Sequence, residues 1–285
     1  MTDELRFYLL KKRFTEDLIL NAFRAFRARG IEPILIKGWA AARNYPESVP
    51  RFCADVDLAV SQQDYEVARS MVIGANAQVS GVDLHRELRH LDTVSWDILF
   101  SNSELVDLDG EAVRILSPED HLRVLCVHWL TNGGESRNRL FHIVYALRNR
   151  PPSFDWSKCL DVVSETRRQW IISTIALANR YLGLETEDLP FAVDASSLPY
   201  WLIKCVEKEW DQNIGSIALE SQLKSPKGFF RQLRKRIPPN PIQATINCEG
   251  EFTDRSRLGY QMRDMLNRLM PSVRRVSDAL AGRAS

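Results

Sequence analysis

The sequence predicts an α/β domain over residues 1–116 and a mainly α-helical region over 117–285. In the first part, short apolar runs typical of buried strands alternate with stretches whose apolar residues recur every three or four positions. The pattern changes at Ser117, where a capping serine, a proline at the first helical position and two acids open a long helical stretch. From there the pattern stays helical to about residue 212.

The composition is that of a globular protein with no bias toward a polyanionic partner. Of 285 residues, 45% are hydrophobic and 26% charged, and 38 Lys and Arg nearly balance 37 Asp and Glu. Five scattered cysteines argue against a disulfide framework or a structural zinc site. The charged N-terminal stretch does not resemble a signal peptide, and no apolar run approaches the ~20 residues of a membrane span. We therefore expect a cytoplasmic protein without a transmembrane segment.

Local patterns predict the first elements in chain order. Residues 4–29 predict one bent helix or two helices, with Gly30 as the stop. The run EPILIKG is a short buried strand, after which WAAARNY restarts a helix that Pro46 ends. ADVDLAV is the next strand, and a helix over 61–73 follows it.

The later elements rest on similar patterns. Residues 77–88 and 93–100 are predicted strands, and ELVDLDGEAVRIL predicts a hairpin that turns at Asp109-Gly110. Residues 213–250 are weakly patterned, so we expect them to be rich in loops. A last helix is predicted over 255–270.

Two acids stand inside one of these apolar runs. Asp55 and Asp57 are two residues apart, so on a strand their side chains point to the same face, where their charges repel. A third acid, Asp83, lies between apolar neighbours on the following strand. Three converging carboxylates can hold two magnesium ions, which prefer oxygen ligands. Before them, Gly38 lets the backbone approach a ligand closely where a strand ends and a helix begins.

The order of these features resembles the nucleotidyltransferase superfamily built on the polymerase-β-like core. More closely, LIKGWAAARNYPESVPRFCADVDLAV, with the later VDLHREL and LSPEDHLRVLCVHW, is similar to a bacterial nucleotidyltransferase family. The resemblance covers residues 34–130 and, more loosely, the helices to about 190. It implies a nucleotidyltransferase-like core with a mixed sheet. Residues 1–116 would form the catalytic domain, and residues 117–285 would form a helical domain that binds the acceptor.

The resemblance also implies a reaction: transfer of a nucleoside monophosphate from a nucleoside triphosphate, with ATP expected, to an acceptor hydroxyl with release of pyrophosphate. The acceptor would be a small molecule, a sugar, a peptide or a protein, and nucleic acid is not expected. The implied catalytic residues, which would also bind two Mg²⁺ or Mn²⁺ ions, are Asp55, Asp57 and Asp83. The implied nucleotide-binding residues are Lys37, Gly38, Trp39 and Arg51. Trp39 stands where the superfamily usually has Ser or Gly, which leaves phosphate binding to backbone N–H groups, Lys37 or Arg51.

Several alternatives stay open. Asp97 and Asp107 also lie between apolar residues, and Asp97 is the reserve for the third carboxylate. Arg51 is either a phosphate ligand or a counter-ion of Asp55, and Lys37 is either a ligand or an extended strand-end side chain. His85 shares the face of Asp83, and we expect it to satisfy hydrogen bonds rather than to catalyse.

Two further interpretations concern the activity of the chain and its basic segment. A catalytically silent nucleotidyltransferase-like binding module is the alternative to an enzyme, and Trp39 is its best support. Residues 224–236 carry six basic residues and predict a short amphipathic helix, for which a solvated face is favoured over a nucleic-acid or membrane contact.

Overall fold

The computed structural model describes residues 3–46, 48–49, 51, 53, 55–73, 77–192, 197–212, 214–215, 217, 219–222 and 225–268. The chain divides into two compact units. The first comprises Met1–Val127 and Phe141–Val163, and the second comprises His128–Leu140 and Ser164–Ser285. The predicted division into 1–116 and 117–285 stays a prediction, although strands do give way to helices between Ile115 and Pro118. None of the described helices is long and apolar enough to cross a membrane.

The first unit is built on a mixed five-stranded sheet, which confirms the predicted fold class of an α/β core followed by a mainly helical region. Its strands are β1 (Ile34–Leu35), β2 (Val56–Val60), β3 (Val82–Arg86), β4 (Glu104–Leu108) and β5 (Glu111–Ile115). They lie in the order β3-β2-β1-β5-β4. β2 pairs with β3 and β1 with β5 in parallel, whereas β1–β2 and β4–β5 are antiparallel.

The helices of the first half are α1 (Asp3–Arg27), α2 (Trp39–Ala42), α3 (Tyr65–Val72) and α4 (Trp96–Asn102). They are followed by α5 (Pro118–Thr131), α6 (Arg137–Arg148), α7 (Trp156–Leu160) and α8 (Glu165–Leu182). The last are α9 (Tyr200–Gln212), α10 (Pro226–Arg236), α11 (Pro241–Asn247) and α12 (258–268). Positions 269–270 of the predicted last helix lie outside the described residues.

One face of the sheet is covered by α1. Val56, Leu58 and Val60 of β2 are buried in one apolar cluster with Phe23 and Phe26 of α1. Because side chains alternate along a strand, Asp57 points to the opposite face. The helix that covers the sheet therefore does not cover this acid.

The hairpin is as predicted. Leu108 and Glu111 are register partners, and Asp109 and Gly110 both have positive φ (57° and 86°). A two-residue turn of type I′ requires positive φ at both central positions, which Asp-Gly tolerates.

Two predictions about elements are wrong. Residues 96–102 form α4 and not a strand: the Oδ1 of Asp92 accepts the N–H groups of Thr93 and Val94 and turns the chain before the helix. Residues 213–250 are not mainly loops: they contain α11 as well as α10, the short helix predicted over 224–236. Ser225 and Asn240 cap these helices, and each precedes a proline at the first helical position.

Candidate active site

The turn between β1 and α2 requires glycine. Gly38 has φ 65° and ψ −110°, and a Cβ built on it would lie 2.9 Å from the carbonyl oxygen of Asp55. L-residues rarely adopt this backbone conformation, and the contact leaves no space for a side chain. The start of α2 therefore lies against the segment that leads into β2. The same segment is also held by α1, because the Thr15 hydroxyl donates a hydrogen bond to the Cys53 carbonyl at 3.0 Å.

The register of β2 and β3 brings two acids together. Asp57 and Asp83 are direct partners across the parallel pair, so their side chains share a face of the sheet. His85 is two residues beyond Asp83 and lies on that face as well. One ligand atom from each of Asp57, Asp83 and His85 lies within 4.8 Å of the other two.

Asp57 is the buried member of this cluster. Its side chain is 7% exposed, and its Oδ1 lies 2.9 Å from Lys37 Nζ and 3.1 Å from His85 Nε2. Burial acts to raise the pKa of Asp57, but the His85 hydrogen bond and the Lys37 charge outweigh burial and lower the pKa below its usual value. Asp57 is therefore a carboxylate at neutral pH.

Asp83 is the accessible member. Its side chain is 59% exposed, and its Oδ2 lies 3.3 Å from the same His85 Nε2. One imidazole nitrogen thus bridges a buried and an exposed carboxylate. His85 makes a hydrogen bond to Asp57, as expected, while the expectation that it does not catalyse stays a prediction. The alternation Asp83-x-His85 was the sequence feature that placed it on this face.

Asp55 stands apart from the cluster. It is exposed and precedes β2 by one residue, so strand alternation does not extend to it. Within the described part of the chain, the group of potential metal ligands contains Asp57, Asp83 and His85 but not Asp55. A part for Asp55 in metal binding remains a prediction.

The other predicted residues fall in different places. Lys37 meets Asp57. Trp39 is 9% exposed, belongs to the apolar cluster under α1, and donates its Nε1–H to Glu16 at 3.2 Å. The guanidinium of Arg51 contacts His142 Nε2 at 2.9 Å, and no ion pair joins it to Asp55.

The reserve acids lie outside the cluster. Asp97 is in the first turn of α4, and Asp107 is exposed on β4, where its Oδ2 accepts the Gly110 N–H at 3.4 Å. Asp83, and neither of these two, is the acid beside Asp57.

The donor set fits a divalent metal ion. Two carboxylates are ligands that Mg²⁺ and Mn²⁺ prefer, and an imidazole widens the choice toward transition metals. Because a cation opposite the two acids would offset their repulsion, the cluster is electrostatically suited to one.

Comparisons with known proteins find a family whose model matches part of this chain. Residues 10–80 match the model of a family described as an uncharacterised nucleotidyltransferase, a range that contains Lys37, Gly38, Asp55 and Asp57. Among solved structures, the chain is similar to an antigenic nucleotidyltransferase-like protein from Paracoccidioides brasiliensis. That similarity has 13% sequence identity and a TM-score of 0.43, and covers 64% of this chain and 92% of that chain. Comparison with curated proteins gives no match.

Proposed function

We propose that the chain is a metal-dependent nucleotidyltransferase. It would move a nucleoside monophosphate from a nucleoside triphosphate, with ATP as the first candidate, to an acceptor hydroxyl and release pyrophosphate. One observation carries the proposal: Asp57 and Asp83 are register partners whose carboxylates meet at His85. The family match over residues 10–80 supports it.

Asp57 is proposed as the fixed metal ligand. It is buried, ionised and held by Lys37 and His85, so its carboxylate is preorganised. A bound Mg²⁺ or Mn²⁺ would neutralise phosphate charge. A second ion would need ligands beyond the cluster, and Asp55 is the acid we propose for it.

Asp83 is proposed as the base. A hydroxyl can reach its exposed carboxylate, whereas Asp57 is enclosed. In the transfer, the acceptor oxygen forms a bond to the α-phosphorus, the bond from that phosphorus to the pyrophosphate oxygen breaks, and the acceptor proton passes to Asp83. A positioned base of this kind contributes typically ~10²–10⁴-fold to a rate.

Three of the predicted nucleotide-binding residues stay in the proposal: Lys37, Gly38 and Trp39. Gly38 keeps the backbone of the β1–α2 turn close to Asp55, and Lys37 offers an ammonium group beside Asp57. Trp39 contributes by anchoring α2 in the core. Arg51 is left out of this proposal, because its guanidinium contacts His142 and lines a cavity that Asp57, Asp83 and His85 do not line. The acceptor is a small molecule, a sugar, a peptide or a protein, bound by residues 117–285 in the cytoplasm.

One observation favours a second candidate, a nucleotide-binding module without catalysis. The structure assembles two carboxylates and a histidine where three carboxylates were expected, because Asp55 lies outside the cluster. Such a module would bind a triphosphate with a metal ion and leave it intact.

The deciding experiment incubates the full chain with each α-labelled triphosphate, Mg²⁺ and cell extract, and follows label transfer. Transfer by the wild type that is lost in Asp83→Asn supports the enzyme. Asp97→Asn is the matched control, since it removes an exposed acid that lies outside the cluster. Metal-dependent binding without transfer of any label would favour the silent module.

A further inference from the structure

A second potential binding site lies in the first unit. A cavity of about 230 Å³ is lined by residues of α1, α2 and the segment up to Cys53, and not by Asp57, Asp83 or His85. Three cations line it, Lys12, Arg43 and Arg51, against one described acid, Glu16. Among the described lining residues, positive charges therefore outnumber negative ones.

Glu16, the acid among the described lining residues, is already engaged. Glu16 Oε1 accepts the Trp39 Nε1–H at 3.2 Å and lies 3.9 Å from Lys12 Nζ. That leaves the two arginines of the cavity without a carboxylate within 4 Å among the residues that the structure describes.

The positive charge of Arg43 is poorly compensated by the described residues around it. Burial lowers the pKa of its guanidinium, and the more distant charge of Glu104 only partly opposes this effect. Its close contact is with the face of Trp39, 5.6 Å from the ring centroid. A half-buried cation whose close contact among the described residues is an aromatic face would be stabilised by an anion in the cavity.

Arg51 is held in place but keeps donors to spare. A guanidinium has five N–H donors and no acceptor, so the 2.9 Å contact with His142 Nε2 makes that nitrogen an acceptor. The remaining donors of Arg51 have no acceptor in the described part of the chain, and Nε is buried without one. The contact with His142 fixes the guanidinium against the cavity wall.

The direction of the Arg51–His142 hydrogen bond also determines the role of Tyr45. Since His142 Nε2 accepts, the neutral imidazole carries its proton on Nδ1, which faces the Tyr45 hydroxyl at 3.2 Å. Burial raises the pKa of Tyr45 to about 12, so the phenol keeps its own proton. Tyr45 lines the cavity and can therefore donate to a ligand alongside the arginines.

We propose that this cavity binds the oxyanion, a phosphate or carboxylate, of a small organic molecule other than the nucleotide. Two arginines and a phenol provide the donors, and Pro46, Val49 and the Trp39 ring provide an apolar wall for its body. The volume is below the roughly 300–1,000 Å³ of pockets that hold drug-sized ligands. The site takes no metal and does not depend on the proposed transfer reaction.

The test uses titration calorimetry of the full chain with inorganic phosphate in the presence of EDTA. We expect saturable binding whose Kd rises at least about tenfold in Arg51→Gln and in Arg43→Gln, since each removes a charged donor. Tyr45→Phe should raise Kd by a smaller factor. Arg69→Gln, which removes an exposed arginine of α3 outside the cavity, should bind phosphate as the wild type does.

Two results would overturn the proposal. The first is no saturable binding up to about 10 mM phosphate, or an unchanged Kd in Arg51→Gln. The second is competition between metal-free ATP and phosphate that depends on Arg51, which would assign the cavity to the nucleotide tail. If Arg43→Gln fails to fold by circular dichroism, Arg51→Gln and Tyr45→Phe carry the test.

Discussion

Asp57 and Asp83 are partners across two parallel strands, yet one side chain is 7% exposed and the other 59%. The same strand register that brings the two carboxylates together gives them different surroundings. Asp57 is fixed by Lys37 and His85, whereas Asp83 faces solvent and lies 3.3 Å from the same His85 nitrogen. Two carboxylates in unlike environments can take different tasks in one site.

Asp83→Asn should abolish turnover without abolishing nucleotide binding. Accepting the acceptor proton is a task of the transition state, so its loss lowers kcat and leaves ground-state affinity nearly unchanged. We expect turnover to fall at least ~10²-fold, the lower limit for losing a positioned base. Label-transfer kinetics and calorimetry with nucleotide and Mg²⁺ measure the two effects separately.

The fold of Asp83→Asn should be unaffected, because an exposed acid that repels Asp57 is replaced by a neutral amide. Asp97→Asn should keep wild-type turnover. If Asp97→Asn is the inactive variant, the assignment of the base is wrong. If both variants transfer label at the wild-type rate, Asp83 has no catalytic role.

Gly38→Ala should impair both stability and activity. Its Cβ would meet the Asp55 carbonyl at 2.9 Å, and its φ of 65° is strained for alanine, so the turn and the segment leading into β2 must shift. Gly110→Ala is the matched control: its φ is 86°, but nothing lies within 4 Å of the added Cβ. Both variants should lose roughly 1 kcal/mol or more in urea unfolding.

Only Gly38→Ala should also lower metal-dependent nucleotide binding, since Gly110 lies in the β4–β5 hairpin. Equal nucleotide affinity in the two glycine variants would show that the close approach of Gly38 to Asp55 has no part in the site.

Local patterns were enough to predict much of the fold. The Asp109-Gly110 turn, the two acid-bearing strands and the start of the helical region all follow from residues adjacent in sequence. The prediction for α4 was wrong because its apolar run is typical of a strand. The start of the helix depends on Asp92, whose carboxylate accepts a hydrogen bond at 2.9 Å from Arg123, a residue distant in sequence. The helix over 224–236 was predicted, but the cap Asn240 before Pro241, which starts α11, was overlooked in a weakly patterned stretch.

The site was predicted less completely. Strand alternation was extended to Asp55, although β2 begins only at Val56, so the three-carboxylate cluster became two carboxylates and His85. The contact of Arg51 with His142 joins residues 91 positions apart, and no local pattern encodes such a contact. Long-range packing, and not closeness in sequence to Asp55, decides which partner Arg51 contacts.

Stability should fall between pH 6.5 and pH 4 because of His121. This histidine is buried, and burial, with a smaller contribution from the Arg43 charge, lowers its pKa to about 4. The unfolded chain, with a histidine pKa near ~6.5, binds the proton first, so the contribution to stability is complete above pH ~6.5 and is lost as the pH falls toward 4. At ~1.4 kcal/mol per pH unit, the loss is about 3 kcal/mol.

His121→Leu should remove this part of the pH dependence. The Nε2 of His121 has no hydrogen-bond partner among the described residues, so the substitution breaks no hydrogen bond at that atom that would obscure the effect. Urea unfolding at several pH values between 4 and 7 measures the slope. A slope in the variant equal to that of the wild type would assign the acid sensitivity to other groups.

Asp57→Asn should weaken metal-dependent nucleotide binding and also destabilise the fold. It removes the carboxylate that Lys37 meets at 2.9 Å in a pair whose side chains are 17% and 7% exposed. Breaking a buried ion pair from one side costs roughly 3–5 kcal/mol, and the partial exposure of Lys37 places this case near or below the lower limit. Calorimetry in Mg²⁺ and in EDTA, together with urea unfolding, measures both effects.

A double variant separates the two effects. Lys37→Met with Asp57→Asn removes both charges, so it should be more stable than the sum of the two single changes predicts. Its metal-dependent nucleotide binding should still be weakened, because the buried carboxylate is absent. If Asp57→Asn binds nucleotide in Mg²⁺ as tightly as the wild type, or the wild type binds equally well in EDTA, Asp57 is not a metal ligand. In that case the Lys37–Asp57 pair only stabilises the fold.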